Sequence, residues 1–161
     1  MKVRTGLLAC ALAACAPGAA PAWAAEGCKG GTHGLIVNVT GLASAKGQVV
    51  VTLYPDDPRR FLAPGGKLLR VRVKAEAPSV RACLPLAQAG AYAIAVYHDA
   101  NGDRDFNRTP VGMPAEGFGF SNDPSTRFGL PKFEAVRFQA KPGRGALSVR
   151  VRYLRRGEAS T

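Results

Sequence analysis

Residues 92–122, YAIAVYHDANGDRDFNRTPVGMPAEGFGFSN, contain the pattern that most constrains the fold. The stretch begins with an unbroken apolar run, YAIAVY, which is typical of a central β-strand covered on both faces. The run ends at His98 and Asp99, and an acidic loop then leads to the glycine and aromatic segment at residues 117–120. The pattern predicts a strand that delivers a structured polar loop to the rim of a sheet, with two phenylalanines sealing the core edge.

Short segments rich in β-branched residues recur on both sides of this stretch, between glycine and proline turns. Several alternate polar and apolar residues, which places one face in the core and the other in water. The expected strands are residues 35–40, 48–54, 68–74, 79–86, 91–98, 133–139 and 146–153. About seven strands without helical periodicity predict an all-β fold, a single antiparallel β-sandwich of immunoglobulin-like type with a long structured loop between its last central strands.

The N-terminus has the features of an export signal. Lys2 and Arg4 precede an apolar run, and Ala22-Trp23-Ala24 fits a signal-peptidase site. The protein is therefore expected to be periplasmic or secreted. The expected organisation is a signal peptide at residues 1–24, a flexible segment at 25–33, the β-sandwich at 34–154 and a basic tail at 155–161.

An alternative reading of the N-terminus gives a lipid anchor. Leu12-Ala13-Ala14-Cys15 resembles a bacterial lipobox, in which the cysteine becomes the acylated first residue. Membrane attachment is expected only in that case. Ordinary cleavage after Ala24 is favoured, because proline and the A-x-A site lie where such cleavage requires them.

Cys28 and Cys83 would be the two cysteines that remain after cleavage at Ala24. A single pair in an exported chain predicts a disulfide, which would stabilise the fold by about 4 kcal/mol in the loop-entropy model. Neither residue belongs to a C-x-x-C pair, so redox catalysis and zinc binding are poorly supported.

Short oxygen-bearing side chains alternate through the acidic loop, as they do where such groups converge on calcium. The loop fits the first half of an EF-hand, but Arg104 replaces the glycine at position six and Pro110 replaces the bidentate glutamate. Glu116 folding back, or water, would complete the set of ligands. The expected ligands are Asp99, Asn101, Asp103, Asp105, Asn107 and Glu116.

The acidic loop also has an explanation without a metal. Asp, Asn and Gly form Asx turns and tolerate left-handed backbone angles, and Arg104 and Arg108 could neutralise the carboxylates. Transition metals are disfavoured because only His98 offers a nitrogen ligand. Calcium is thus the one cofactor that the sequence suggests, and structural turns are the competing interpretation.

Residues 92–103 and 112–122 resemble the exported bacterial family called domain of unknown function 2141, whose pattern reads YA-apolar-HD-x-N-x-N/D and then G-x-P-x-EG-aromatic-GFSN. The resemblance extends over nearly all of the mature chain. It implies an exported β-sandwich similar to transthyretin-like modules, and it supplies no catalytic residues. Members often have glycine at the position of Arg104 and aspartate at that of Asn107, which implies a weaker metal loop here.

A second function class would use His98, Asp99 and Glu116 as the acid and base groups of a small periplasmic hydrolase or carbohydrate-active enzyme. Such an enzyme must bring these groups together in an open pocket. The sequence has no G-x-S-x-G motif to supply a serine nucleophile. The primary hypothesis is therefore a non-catalytic binding or structural protein of a Gram-negative envelope.

Positive charge suggests the partner, because the chain has a formal net charge of +11. Strand alternation places Arg70, Arg72 and Lys74 on one face of their strand, and Arg150 and Arg152 on one face of theirs. We expect both strands in one antiparallel, half-exposed sheet. Such a face would attract an anionic envelope polymer or a protein partner. The competing interpretation, slightly favoured, is ordinary solubility, in which arginine covers exposed strands and discourages edge pairing. Nucleic acid is not expected, because export separates the protein from it and no aromatic-interleaved motif is present.

Overall fold

The computed structural model describes residues 33–126 and 129–154. The predicted cleavage site, the alternative anchor at Cys15, the predicted disulfide partner Cys28 and the basic tail lie outside the described residues. Among the described residues, no helix has the length and apolar character needed to cross a membrane.

The described chain forms two sheets and one short helix. A three-stranded sheet has the order β4-β1-β8, and the larger sheet has the order β3-β2-β5-β6, with β7 also pairing with β5. The elements are β1 His33–Thr40, β2 Gln48–Pro55, β3 Leu69–Lys74, β4 Ser79–Leu86, β5 Gly90–Asp99, β6 Gly117–Phe120, α1 Phe133–Val136, β7 Arg137–Ala140 and β8 Arg144–Arg150. The predicted all-β sandwich is confirmed.

The secondary structure and the strand pairing differ from the prediction in three respects. β6 is a strand paired with β5, where a loop was expected. Residues Phe133–Val136 form a helical turn before β7. The sandwich is also not wholly antiparallel, because β8 runs parallel to β1, with Val39 opposite Val149. These features depend on which distant segments meet, and period-2 alternation carries no such information.

The main core lies between the two sheets. Alternate residues of β2, such as Val49 and Val51, face β1, β4 and β8 across the sandwich, and both are fully buried. Val37 of β1 and Ile94 of β5 are fully buried in the same layer. Burial of each such side chain contributes about 1.5–3 kcal/mol. The alternating pattern of the sequence therefore becomes the inner layer of the fold.

A second apolar layer covers the outer face of the larger sheet. Phe61, from the connection between β2 and β3, lies with its ring centroid 5.3 Å from Tyr54, 6.0 Å from Phe120 and 6.0 Å from Phe133. Ala93 of β5 is fully buried beneath this layer, whereas its neighbour Ile94 belongs to the inner core. β5 is thus covered on both faces, as its unbroken apolar run predicted.

Candidate functional site

The acidic loop begins at Asp99, the last residue of β5. Its carboxylate is fully buried and accepts hydrogen bonds from the Gly102 N–H at 2.7 Å, the Arg104 N–H at 3.0 Å and the Gln48 side-chain amide at 2.9 Å. Gln48 is the partner of Asp99 in the β2–β5 ladder. Arg104 has a φ of 71°, a left-handed conformation that favours glycine. Asp99 therefore holds the first turn of the loop in place.

The middle of the loop is organised around Asp103. Its carboxylate accepts hydrogen bonds from the Asp105 N–H at 2.9 Å, from the Asn107 amide at 2.9 Å and from the Asn101 amide at 2.8 Å. These hydrogen bonds lower the pKa of Asp103. Among the described residues, the Asp105 carboxylate accepts only the Phe106 N–H, at 2.8 Å.

The structure brings the side chains of Asn101, Asp103 and Asn107 together and places Glu116 against the Asn107 N–H, but it does not join the Asp105 carboxylate to them. The carboxylate oxygens face N–H donors. Within the described part of the chain, no group of three or more His, Cys, Asp or Glu side chains is arranged to hold a metal ion. Asx-type turns account for this geometry without an ion.

An aromatic side chain fixes the loop to the sheet. The Phe106 ring lies 5.4 Å from the Tyr97 ring and 6.1 Å from the Phe118 ring, in edge-to-face geometry. The Arg108 guanidinium lies over the other side of Phe106, 5.2 Å from its centroid. The loop is therefore a packed cap on the outer apolar layer.

Glu116 connects the end of the loop to β6. It is 9% exposed and accepts a hydrogen bond from the Asn107 N–H at 3.2 Å. Burial raises the pKa of Glu116, and the nearby charges of Asp99 and Asp103 raise it further. The fold therefore disfavours the ionised form of Glu116 relative to its protonated form.

The metal-free interpretation holds for the turns but not for the arginines, because Arg104 and Arg108 form no ion pair with these carboxylates among the described residues. The ion pairs between described residues involve Asp56, Asp57 and Asp123, none of which belongs to the loop. The Arg108 side chain donates to the Gly112 carbonyl at 3.0 Å instead. Hydrogen bonds alone compensate the negative charge of the loop within the described structure.

The raised pKa of Glu116 predicts a specific pH dependence. A carboxyl group with a folded pKa above its ordinary value of 4.5 destabilises the fold increasingly as pH rises through that folded pKa. We expect Glu116→Gln to gain stability relative to the wild type as pH rises from about 4.5 to 7. Urea unfolding across this range measures the difference. The exposed Glu134→Gln variant is the control, and parallel profiles for Glu116→Gln and the wild type would contradict the expectation.

His98 is a structural residue at the opposite face of β5. It is 1% exposed; its Nε2–H donates to the Lys46 carbonyl at 2.8 Å, and its Nδ1 accepts from the Tyr153 hydroxyl at 2.6 Å. The tautomer follows because a carbonyl oxygen can only accept. The Tyr153 oxygen in turn accepts the Ala43 N–H at 3.1 Å. Both ring nitrogens are occupied, so His98 is not placed to act as a base.

Ser121 is likewise committed to the fold. It is fully buried, accepts the Ile94 N–H at 3.0 Å and donates to the Val136 carbonyl. Asp99 points into the loop and His98 into the inner core, so the two do not converge on an open pocket. The acid and base site of the alternative hydrolase is therefore not formed. Sequence spacing gave no signal for the His98–Tyr153 pair, because 55 residues separate its members.

The glycine and aromatic segment joins the two sheets. Phe118 and Phe120 are each 4% exposed and face the outer apolar layer, so they seal it as predicted. Phe118 exchanges two backbone hydrogen bonds of 2.9 Å with Arg152, just beyond β8. Gly119 faces β8, and Gly117 faces Val151 and Tyr153 just beyond it, so neither position leaves room for a side chain.

The predicted basic face is divided between the two sheets. Arg70, Arg72 and Lys74 lie on β3 of the larger sheet, whereas Arg150 lies on β8 of the smaller one. The prediction that both strands lie in one antiparallel sheet is wrong, because β8 pairs with β1. Arg152 is bound by Asp123 in two hydrogen bonds of 2.5 and 2.6 Å. The arginines at the C-terminal end therefore do not extend the row on β3.

The fold and the site define an all-β sandwich capped by a packed polar loop. The chain belongs to the bacterial family described as "Uncharacterized protein conserved in bacteria (DUF2141)", whose model matches residues 37–147. This confirms the resemblance drawn from the loop and the glycine and aromatic segment. No curated protein and no solved structure matches the chain.

Proposed function

We propose that this protein is a non-catalytic, exported module of a Gram-negative envelope that binds an anionic polymer through β3. The polar groups that suggested chemistry in the sequence are buried and hydrogen-bonded within the fold, at His98, Asp99 and Ser121. The predicted signal peptide supports export, and the predicted Cys28–Cys83 disulfide fits an oxidising compartment. Cys83 is a half-buried residue of β4.

The observation that carries the proposal is a row of cations on an edge strand. Arg72 and Lys74 are exposed, and Arg70 is half-buried with its Nε–H donating to the Thr52 hydroxyl at 3.0 Å. β3 ends the larger sheet, and Arg70, Arg72 and Lys74 alternate with the core residues Val71 and Val73. None of the three cations forms an ion pair with a described residue. Side chains two residues apart on a strand are about 6.8 Å apart, so the row presents regularly spaced charge to a polyanion.

Charge reversal in this row tests the proposed function. Arg72→Glu/Lys74→Glu should weaken binding to dextran sulfate by at least about tenfold, which corresponds to about 1.4 kcal/mol. Isothermal titration at several salt concentrations measures the affinity, and the loss should shrink as salt screens the charges. Lys67→Glu/Lys132→Glu changes the net charge equally on exposed residues outside β3. Equal losses of affinity for dextran sulfate in the two variants would show that only net charge matters and would refute a binding site on β3.

Calcium binding by the acidic loop is a second candidate function. The specific observation in its favour is that the side chains of Asn101, Asp103 and Asn107 meet in the loop, and that no ion pair to a described cation neutralises its carboxylates. Carboxylate and amide oxygens are the donors that calcium prefers. Asn101 and Asn107 would have to turn their side-chain oxygens inward, since their amide N–H groups now donate to Asp103.

Removal and addition of calcium test this candidate. If the loop binds calcium, titration of the chelator-treated protein gives heat, and calcium at 100 times its Kd stabilises the fold by about 2.7 kcal/mol. Asp103→Asn should abolish the heat, whereas Asp57→Asn, outside the loop, should leave it unchanged. Absence of heat together with an unchanged melting temperature would remove calcium from the function.

A further inference from the structure

The sandwich is open along one seam, between β7 and β8. These consecutive strands belong to different sheets, because β7 pairs with β5 and β8 pairs with β1. Only residues 141–143 connect them. The described chain therefore leaves the two sheets unjoined here, whereas Phe118 and Arg152 join them farther along.

The seam contains a cavity of about 350 Å³. Its wall combines apolar and polar surface in about equal parts: Leu35 and Leu86, each 4% exposed, and the half-buried Phe138 and Leu147 supply the apolar part. Cavities that hold small ligands measure about 300–1,000 Å³ and are lined mainly by apolar side chains with a few polar groups. The seam cavity has this volume, and its wall joins an apolar part to polar groups.

The mouth of the cavity is cationic. Lys141 and Arg144 line it and are exposed, and none of the described lining residues is acidic. Neither cation forms an ion pair with a described residue. The apolar part of the wall, beside two uncompensated positive charges, is complementary to a molecule with one apolar tail and one anionic head.

We propose that the seam between β7 and β8 binds a single-chain anionic amphiphile. Its tail lies against Leu35, Leu86, Phe138 and Leu147, and its carboxylate or phosphate head lies between Lys141 and Arg144. An extended peptide is the less favoured occupant, because the apolar part of the wall and the two cations match one tail and one anionic head. This site shares no residue with the cationic row on β3, so the two proposals fail or succeed separately.

The geometry offers a variant that fills the cavity without backbone strain. Gly145 lines the seam, and a Cβ added there would lie 3.6 Å from Leu35 Cδ1, an ordinary van der Waals contact. A leucine at this position would extend toward the space that the tail requires. Lys141→Glu/Arg144→Glu tests the head site from the surface and does not alter the core.

Titration of the purified protein with dodecanoate and with dodecyl phosphate, below their micelle concentrations, tests the proposal. We expect saturable binding of one molecule per chain, and the tighter ligand distinguishes a fatty acid from a phosphate-headed lipid. Gly145→Leu and Lys141→Glu/Arg144→Glu should each weaken binding at least about tenfold, whereas Lys67→Glu/Lys132→Glu should not. Dodecyltrimethylammonium should bind at least about tenfold more weakly than dodecanoate.

Three results would overturn the proposal. One is that neither dodecanoate nor dodecyl phosphate binds saturably, whether or not an extended peptide binds. The second is equal affinity for the cationic amphiphile. The third is unchanged affinity in the charge-reversed variant, whose exposed substitutions remain informative even if Gly145→Leu fails to fold.

Discussion

Gly119→Ala is expected to destabilise the protein by about 3 kcal/mol, because the new methyl group has no space between β6 and β8. A Cβ at this position would collide with the Arg150 carbonyl oxygen and lie 2.9 Å from Val149 Cγ1. Backbone atoms cannot rotate away as a flexible side chain can, so the strands would have to separate. Urea unfolding followed by circular dichroism measures the loss.

Gly145→Ala is the matched control for this prediction. It makes the same substitution in β8, where the nearest atom, Leu35 Cδ1, would be 3.6 Å from the added Cβ. Its stability should change by less than about 1 kcal/mol, and in the stabilising direction, because alanine restricts the unfolded chain. Similar effects at positions 119 and 145 would show that the close approach of β6 and β8 is not what requires glycine.

Asp99→Ala is expected to cost about 3 kcal/mol, because it removes the acceptor for three donors at the start of the loop. The orphaned groups are the Gly102 N–H, the Arg104 N–H and the Gln48 amide. Chemical unfolding in the presence of a chelator measures this cost without a contribution from calcium. The backbone amides of the loop should also exchange hydrogen faster, because the turn loses its anchor.

Asp105→Ala is the control in the same loop. Within the described structure, its exposed carboxylate accepts only the neighbouring Phe106 N–H, so its removal should cost less than about 1 kcal/mol. If both variants lose the same stability, the buried network of Asp99 does not organise the loop. If neither does, the loop is held by Phe106 and its ring contacts instead.

The loop and its neighbours show how far sequence reasoning reached. The run through Tyr92 and the alternating residues of β2 and β3 predicted buried and half-buried strands, because side-chain direction alternates along any strand. The Asx-turn interpretation was also accessible, since Asp and Asn favour local hydrogen bonds to the backbone. The hydrogen bond from Gln48 to Asp99 could not be predicted from the sequence, because it depends on the register of two strands.

The amino-acid sequence by itself determined the all-β class, the family and the polar cap after β5, since these rest on alternation and local turn chemistry. Tertiary structure alone decided that β8 runs parallel to β1, that His98 is bound by Tyr153, and that the two basic strands lie in different sheets. The physical reason is that local preferences act over a few residues. Sheet order and side-chain partners are selected by the burial of distant segments against one another.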